Sequence, residues 1–270
     1  MNYFDGAQPV LKKSYCVFMD VLGFSEMISS SSGQDNEQEL FQNYHEVTSR
    51  LIARLNEHAG PDSFLNVKVF SDNILLAVPW FSVDGESEFG FILLALREYQ
   101  LSMALNGYFI RGGISVGNLF VDENMIYGKA LLEAYSLESK VANDPKIILS
   151  SEVLEVVRFH TQFYETPEES PQNRDVVIDN DGKGFISYLD ELIGESSVGL
   201  VLNTEKLRLH KQKVIEAVEF HRENTKVWYK YHWLCDYHNY FCRKVSSMAG
   251  YSDDCLIPDE IYKRELTSLV

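Results

Sequence analysis

Two aspartates stand where a pair of carboxylates could do chemistry. Asp20 closes a short apolar run, Tyr15 to Met19 (YCVFM), whose aromatic and β-branched residues read as a buried strand. Asp72 lies in Ser71-Asp72-Asn73, between the runs Phe64–Phe70 and Ile74–Val78, which is hairpin spacing. Two carboxylates brought to one sheet edge repel, and an unpaired buried charge is costly. A divalent cation between them resolves both problems. Hard ions such as Mg²⁺ take one or two carboxylates together with substrate phosphates. Each aspartate also has an ordinary use, Asp20 as a helix cap and Asp72 as a turn residue. That both fall at metal-holding positions of one sheet favours the ion.

Around them lie further polar candidates. In Asp20-Val21-Leu22-Gly23-Phe24-Ser25, Gly23 permits a tight turn, and the helix that follows presents free N–H groups suited to phosphate. Many strand-to-helix turns look the same, so this signal is weak alone. Arg111 opens a strand containing Gly112-Gly113; its guanidinium is open between a phosphate contact and a structural salt bridge. Lys68 alternates with Val67 and Val69, which suits either a ligand contact or an exposed lysine. Cys235, His238 and Cys242 share one helical face, but a fourth ligand and a tight Cys knuckle are missing. The surrounding aromatics favour packing over zinc. Glu133 and Glu138 read as a solvated face or as salt-bridge partners.

The elements that must position these groups follow from periodicity. After the Asp20 strand comes a turn into a helix, and Ser29–Asn36 is a polar loop. Glu37–His58 has helical apolar spacing, stopped by Gly60-Pro61. The hairpin is followed by a helix over Glu86–Leu105 and a strand over Tyr108–Val116. Gly117 turns that strand into a short one, Leu119–Val121. A helix over Lys129–Ala142 and a strand over Pro145–Leu149 complete the set. The order β-α-β-β-α-β is that of a ferredoxin-like, split βαβ sheet, so residues 1–150 are expected to form one α+β unit. Residues 151–270 are expected to be a C-terminal extension. It has a strand at Gly184–Leu189 and one long helical stretch from Thr204 to about Ser246, with the aromatic cluster WYKYHWLCDYHNYF packed on the first unit or a partner.

Composition bounds the function. The chain has 270 residues, with 24 basic and 40 acidic side chains and a net charge of −16. Such a surface repels polyphosphate at long range, so no nucleic-acid partner is expected. The longest uncharged apolar run, Phe89–Leu96, is far shorter than the about 20 residues of a membrane span. No signal peptide is visible, and four cysteines form no disulfide framework. A soluble cytoplasmic protein is expected.

Four segments, in order, resemble the motifs of class III nucleotidyl cyclases: FMDVLGFSEM and KVFSDNILLAV, the two metal motifs; IRGGISVG, the next strand; and IYGKALLEAYSLES, the following helix. They cover roughly residues 14–150. Ser71 replaces the usual Gly before Asp72, and Leu132 and Ser136 stand where purine cyclases carry an Asn and a transition-state Arg. Met125 matches a polar base-reading position, whereas Lys68 matches a base-reading Lys. With the C-terminal aromatic helix, the pattern is closer to the bacterial pyrimidine cyclases of Pycsar antiphage systems.

The resemblance implies a homodimeric cyclase making cyclic UMP, or else cyclic CMP, from UTP or CTP with two Mn²⁺ or Mg²⁺ ions. The product would activate a partner effector. It implies Asp20, Asp72 and the Val21 carbonyl as metal ligands, Leu22, Gly23, Phe24 and Ser25 on the outer phosphates, and Lys68 with Met125 at the base. Arg111 would replace the absent helix Arg. Gly112 and Gly113 would let the backbone approach the nucleotide or the partner subunit. The loss of the helix Arg and Asn also motivates an alternative, a catalytically silent module that binds a nucleotide or a protein.

Overall fold

The structure, a computed structural model, describes residues 3–30, 33–59, 64–197 and 199–262. The expected helix stop at Gly60-Pro61 and part of the expected 29–36 loop lie outside these residues. By backbone contacts the chain divides into two compact units, 1–103 with 108–188 and 104–107 with 189–270.

The first unit is a mixed α+β layer structure. A small hairpin, β1 (Phe4–Asp5) and β2 (Gln8–Pro9), turns at Gly6. Then come β3 (Lys12–Val21), α1 (Phe24–Ser30), α2 (Gln34–Ala59), β4 (Asn66–Phe70), β5 (Asn73–Pro79), α3 (Glu86–Leu105), β6 (Ile110–Val121), β7 (Ile126–Gly128) and α4 (Lys129–Ser136). A π-helical turn, Leu137–Val141, prolongs α4. It is followed by β8 (Ile147–Leu149), α5 (Ser151–Thr161), α6 (Pro171–Asp175), β9 (Val176–Ile178) and β10 (Gly184–Ile186). The sheet order is β4-β5-β3-β6-β8-β10-β9, with β7 on β6. Within it, β6-β3-β5-β4 is the antiparallel core of the expected split βαβ unit.

Alternation along β3 divides the layers, because successive side chains leave opposite faces of a strand. Tyr15, Val17 and Met19 pack into a core with Tyr44 and Val47 of α2, with α3, and with Val153 and Val157 of α5. Cys16 joins Leu75, Ala77, Ala130 and Ala134 on the other face, under α4. Gly112 and Gly113 serve this packing. A Cβ at Gly112 would lie 2.7 Å from the Met19 Cβ, and one at Gly113 would lie 2.4 Å from the Leu137 Cβ.

Three expectations are corrected. Gly117 does not split the strand: its backbone pairs with Ser14, a Cβ there would meet only ordinary contacts, and β6 runs unbroken to Val121. The first unit runs on past residue 150 to Tyr188, because β10 pairs with β8 and carries β9. The long C-terminal stretch is two helices, α7 (Thr204–Phe220) and α8 (Thr225–Lys244), joined at 221–224. Neither glycine nor proline marks that break. Two helices facing each other can both bury an apolar stripe, which one continuous helix could not. The second unit also holds a hairpin, β11 (Ile193–Ser196) with β12 (Gly199–Leu202), and a short α9 (Asp259–Tyr262). In α8, Trp228, Tyr231, Tyr237 and Phe241 are buried, as the aromatic cluster implied.

Candidate active site

The antiparallel registers bring the two aspartates to one end of the sheet. Met19 pairs with Ile74 across β3 and β5, so Asp20 lies level with Asn73, the neighbour of Asp72. Adjacent strands are about 4.8 Å apart, which puts the carboxylates within each other's field. Asp72 shows this. Burial pushes it above the usual carboxylate range, hydrogen bonds within its turn pull the other way, and the Asp20 charge adds to the rise. Ser71 adopts φ 57° at the tip, and its carbonyl accepts a bond from the Tyr44 hydroxyl at 3.3 Å. That bond ties the hairpin to α2.

Asp20 pairs across the sheet with Arg111. The guanidinium binds it in a fork, with Nε on Oδ1 at 3.2 Å and Nη2 on Oδ2 at 2.7 Å. The same Nη2 donates to Glu138 in the π-helical turn. The side chains of Asp20 and Arg111 are 19% and 18% exposed, that of Glu138 only 5%. Burial raises Glu138 to about 7, helped by the Asp20 charge and opposed by Arg111. Burial works against the Arg111 charge, but Asp20 and Glu138 outweigh it and raise its pKa. The structure therefore shows Arg111 in an ion pair. Glu138, read as a solvated face or a salt-bridge partner, is a buried partner. Nothing in its local sequence marks it, because the pairing depends on the π turn lying against Gly113.

The remaining candidates fall into two groups. Gly23 takes φ 77° and carbonyl bonds from Glu26 and Met27, which starts α1. The Leu22 N–H is committed to the Phe109 carbonyl at 2.8 Å, and Val21 and Leu22 are buried. Of the four residues Leu22–Ser25, Leu22 thus has no free amide to offer. Lys68 lies on the Asp20 face, in the row Lys68–Leu75–Phe18–Gly113. Its Nζ donates to the Glu123 carbonyl at 3.0 Å, in the turn that ends at Met125. Asp122 shapes that turn by accepting bonds from the amides of Asn124 and Met125. The structure thus brings Lys68 and the Met125 turn together, two strands away from Asp20.

Among the described residues, no cluster of three or more His, Cys, Asp or Glu side chains is arranged to hold a metal ion. The oxygen chemistry of Asp20 and Asp72 nevertheless fits a divalent cation that completes its shell from water and phosphate. Asp20 already holds one cation, the Arg111 guanidinium.

Solved structures to which this chain aligns include the adenylyl cyclase CyaB from P. aeruginosa, at 18% identity and TM-score 0.43 over 55% of this chain and 82% of that one. The guanylyl cyclase Cya2 aligns at 16% identity and TM-score 0.42, over 54% of this chain and 78% of that one. The guanylyl cyclase domain of the RhoGC fusion protein from the aquatic fungus Blastocladiella emersonii aligns at 15% and 0.45, over 65% and 93%. No protein-family profile matches the chain, and no curated protein does. No described helix is long and apolar enough to cross a membrane.

Proposed function

We propose that this chain is a nucleotidyl cyclase that converts a pyrimidine nucleoside triphosphate, UTP before CTP, to its 3′,5′-cyclic monophosphate and pyrophosphate. The observation that carries the reading is the placement of Asp20 and Asp72 side by side at the end of β3, within four motifs that resemble class III cyclases in order. Asp20, Asp72 and the Val21 carbonyl would hold two Mn²⁺ or Mg²⁺ ions. Bound there, the ions supply Lewis acidity to the ribose 3′-hydroxyl and to the triphosphate. Gly23, Phe24 and Ser25 face the outer phosphates, and Arg111 adds positive charge. Lys68 and Met125 bound the base. The apolar Met125, and Leu132 and Ser136 on α4, motivate a pyrimidine over a purine.

The enzyme acts as a homodimer with composite sites, the carboxylates from one subunit and the base contacts from the other. Exposed apolar side chains support this: Phe70 on β4, Met125 just before β7 and Tyr127 in it, and Leu132 and Tyr135 on α4 are all more than half exposed. Apolar area of that kind marks an interaction surface. The catalytic motifs lie within residues 14–150 of the first unit, and the product activates an effector in cytoplasmic antiphage defence. One observation favours the silent-module reading instead: Arg111 already satisfies Asp20. Incubating the protein with each of the four NTPs and Mn²⁺, then separating products by chromatography, decides between them. Cyclic UMP as the main product supports the proposal. Equal turnover of ATP or GTP refutes the pyrimidine claim, and no product from any NTP leaves the silent module.

A further inference from the structure

At the end of β3 two carboxylates, Asp20 and Glu138, share one guanidinium. The guanidinium fork takes one lone pair on each Asp20 oxygen, and its positive charge repels a metal ion brought to the same carboxylate. Releasing a largely buried guanidinium with no partner is costly, since a buried charge needs a counter-charge. Glu138 already accepts from Nη2, and a guanidinium carries five donors in a rigid fork. A small rotation would keep Arg111 paired while freeing Asp20.

We propose that Arg111 is the resident counter-cation of Asp20, and that Glu138 is the positioning residue that retains the guanidinium when a divalent cation takes Asp20. The inference rests on the cyclase reading and adds a residue to that site. Glu138 is suited to the task by its placement. It sits in a π-helical turn, a feature that recurs at functional sites, rather than on the regular helix. Gly113 lets that turn approach β6, because any side chain there would strike Leu137. Burial then keeps solvent from competing for the guanidinium.

The test is Mn²⁺ binding to the full chain, read by the electron paramagnetic resonance signal of free Mn²⁺, in wild type, Glu138→Gln, Arg111→Gln and the double variant. Thermal melts check the fold of each. Glu138→Gln should weaken Mn²⁺ binding on the order of tenfold, the usual cost of losing an outer-shell partner. Arg111→Gln should tighten it, since a competing cation is gone. In the Arg111→Gln background, Glu138→Gln should change affinity by less than about twofold, because Glu138 acts through Arg111. Wild-type affinity in Glu138→Gln overturns the proposal, as does equal weakening in both backgrounds. If Glu138→Gln fails to fold, Arg111→Gln decides alone: unchanged or weaker binding overturns the proposal. Wild type and Arg111→Gln both failing to bind Mn²⁺ overturns the metal-dependent cyclase reading itself, a separate outcome.

Discussion

At the end of β3, Asp20 and Glu138 both bind Arg111 beneath the surface, and about a fifth of the Asp20 side chain stays open to solvent. Between α7 and α8, His210 and His238 are fully buried and stay neutral. Their Nδ1 atoms are 2.9 Å apart, and the rings stack with centroids 5.1 Å apart. His238 Nε2 lies 2.8 Å from the Cys255 carbonyl. A carbonyl only accepts, so Nε2 carries the proton, Nδ1 of His238 is bare, and Nδ1–H of His210 donates to it. Burial lowers both histidines, His238 to about 4. The contrast separates two uses of polar residues under a surface. A closed neutral pair fixes a helix packing. A partly open cluster, two carboxylates on one guanidinium, is suited to the proposed cation exchange.

The contrast can be broken at several points. The largest stability effect should come from His238→Ala, which removes the acceptor facing His210 Nδ1 and opens a cavity; a loss of about 2–4 kcal/mol is expected from urea unfolding. Gly113→Ala should cost about 1–3 kcal/mol by forcing the π turn off the sheet, and it should also weaken Mn²⁺ binding by moving Glu138. A Gly113→Ala protein with full stability would show that the close approach is dispensable.

Acid should strain the histidine pair in a defined window. Its folded pKa values lie below the ordinary 6.5, so between 6.5 and about 4 the unfolded chain binds more protons than the native one. The histidine contribution is therefore complete above about 7 and is lost as pH falls, by up to about 1.4 kcal/mol per pH unit for each histidine. Urea midpoints at pH 7.5, 6.5 and 5.5 should trace that slope, and His238→Ala should flatten it. The smallest effect belongs to the exposed pair Arg50 and Glu46 on α2: Arg50→Ala should change stability by no more than about 0.5 kcal/mol.

The sequence carried the core of this architecture because its strands announce themselves by alternation and its turns by polar residues. Asp20 and Asp72 were legible for the same reason: each punctuates an apolar run, and the βαββαβ order puts those ends together. What could not be read depends on distant contacts. Glu138 looks like any helical glutamate until the π turn and Gly113 bring it to Arg111. Gly117 looks like a strand breaker but is an ordinary extended residue opposite Ser14. β10 falls within the strand expected at Gly184–Leu189, but its pairing with β8 and with the three-residue β9, too short to show a period, depends on distant contacts. The break at 221–224 reflects two buried helix faces rather than any local signal.

The most direct test of the central claim is the rate of cyclic UMP formation from UTP and Mn²⁺ by wild type beside Asp20→Ala and Asp72→Ala, each shown by circular dichroism to be folded. The account predicts product from wild type and a loss of more than about tenfold in each variant, at least ~1.4 kcal/mol in barrier. A folded variant that keeps more than about a tenth of the wild-type rate would contradict the assignment of Asp20 and Asp72 as the metal-holding pair.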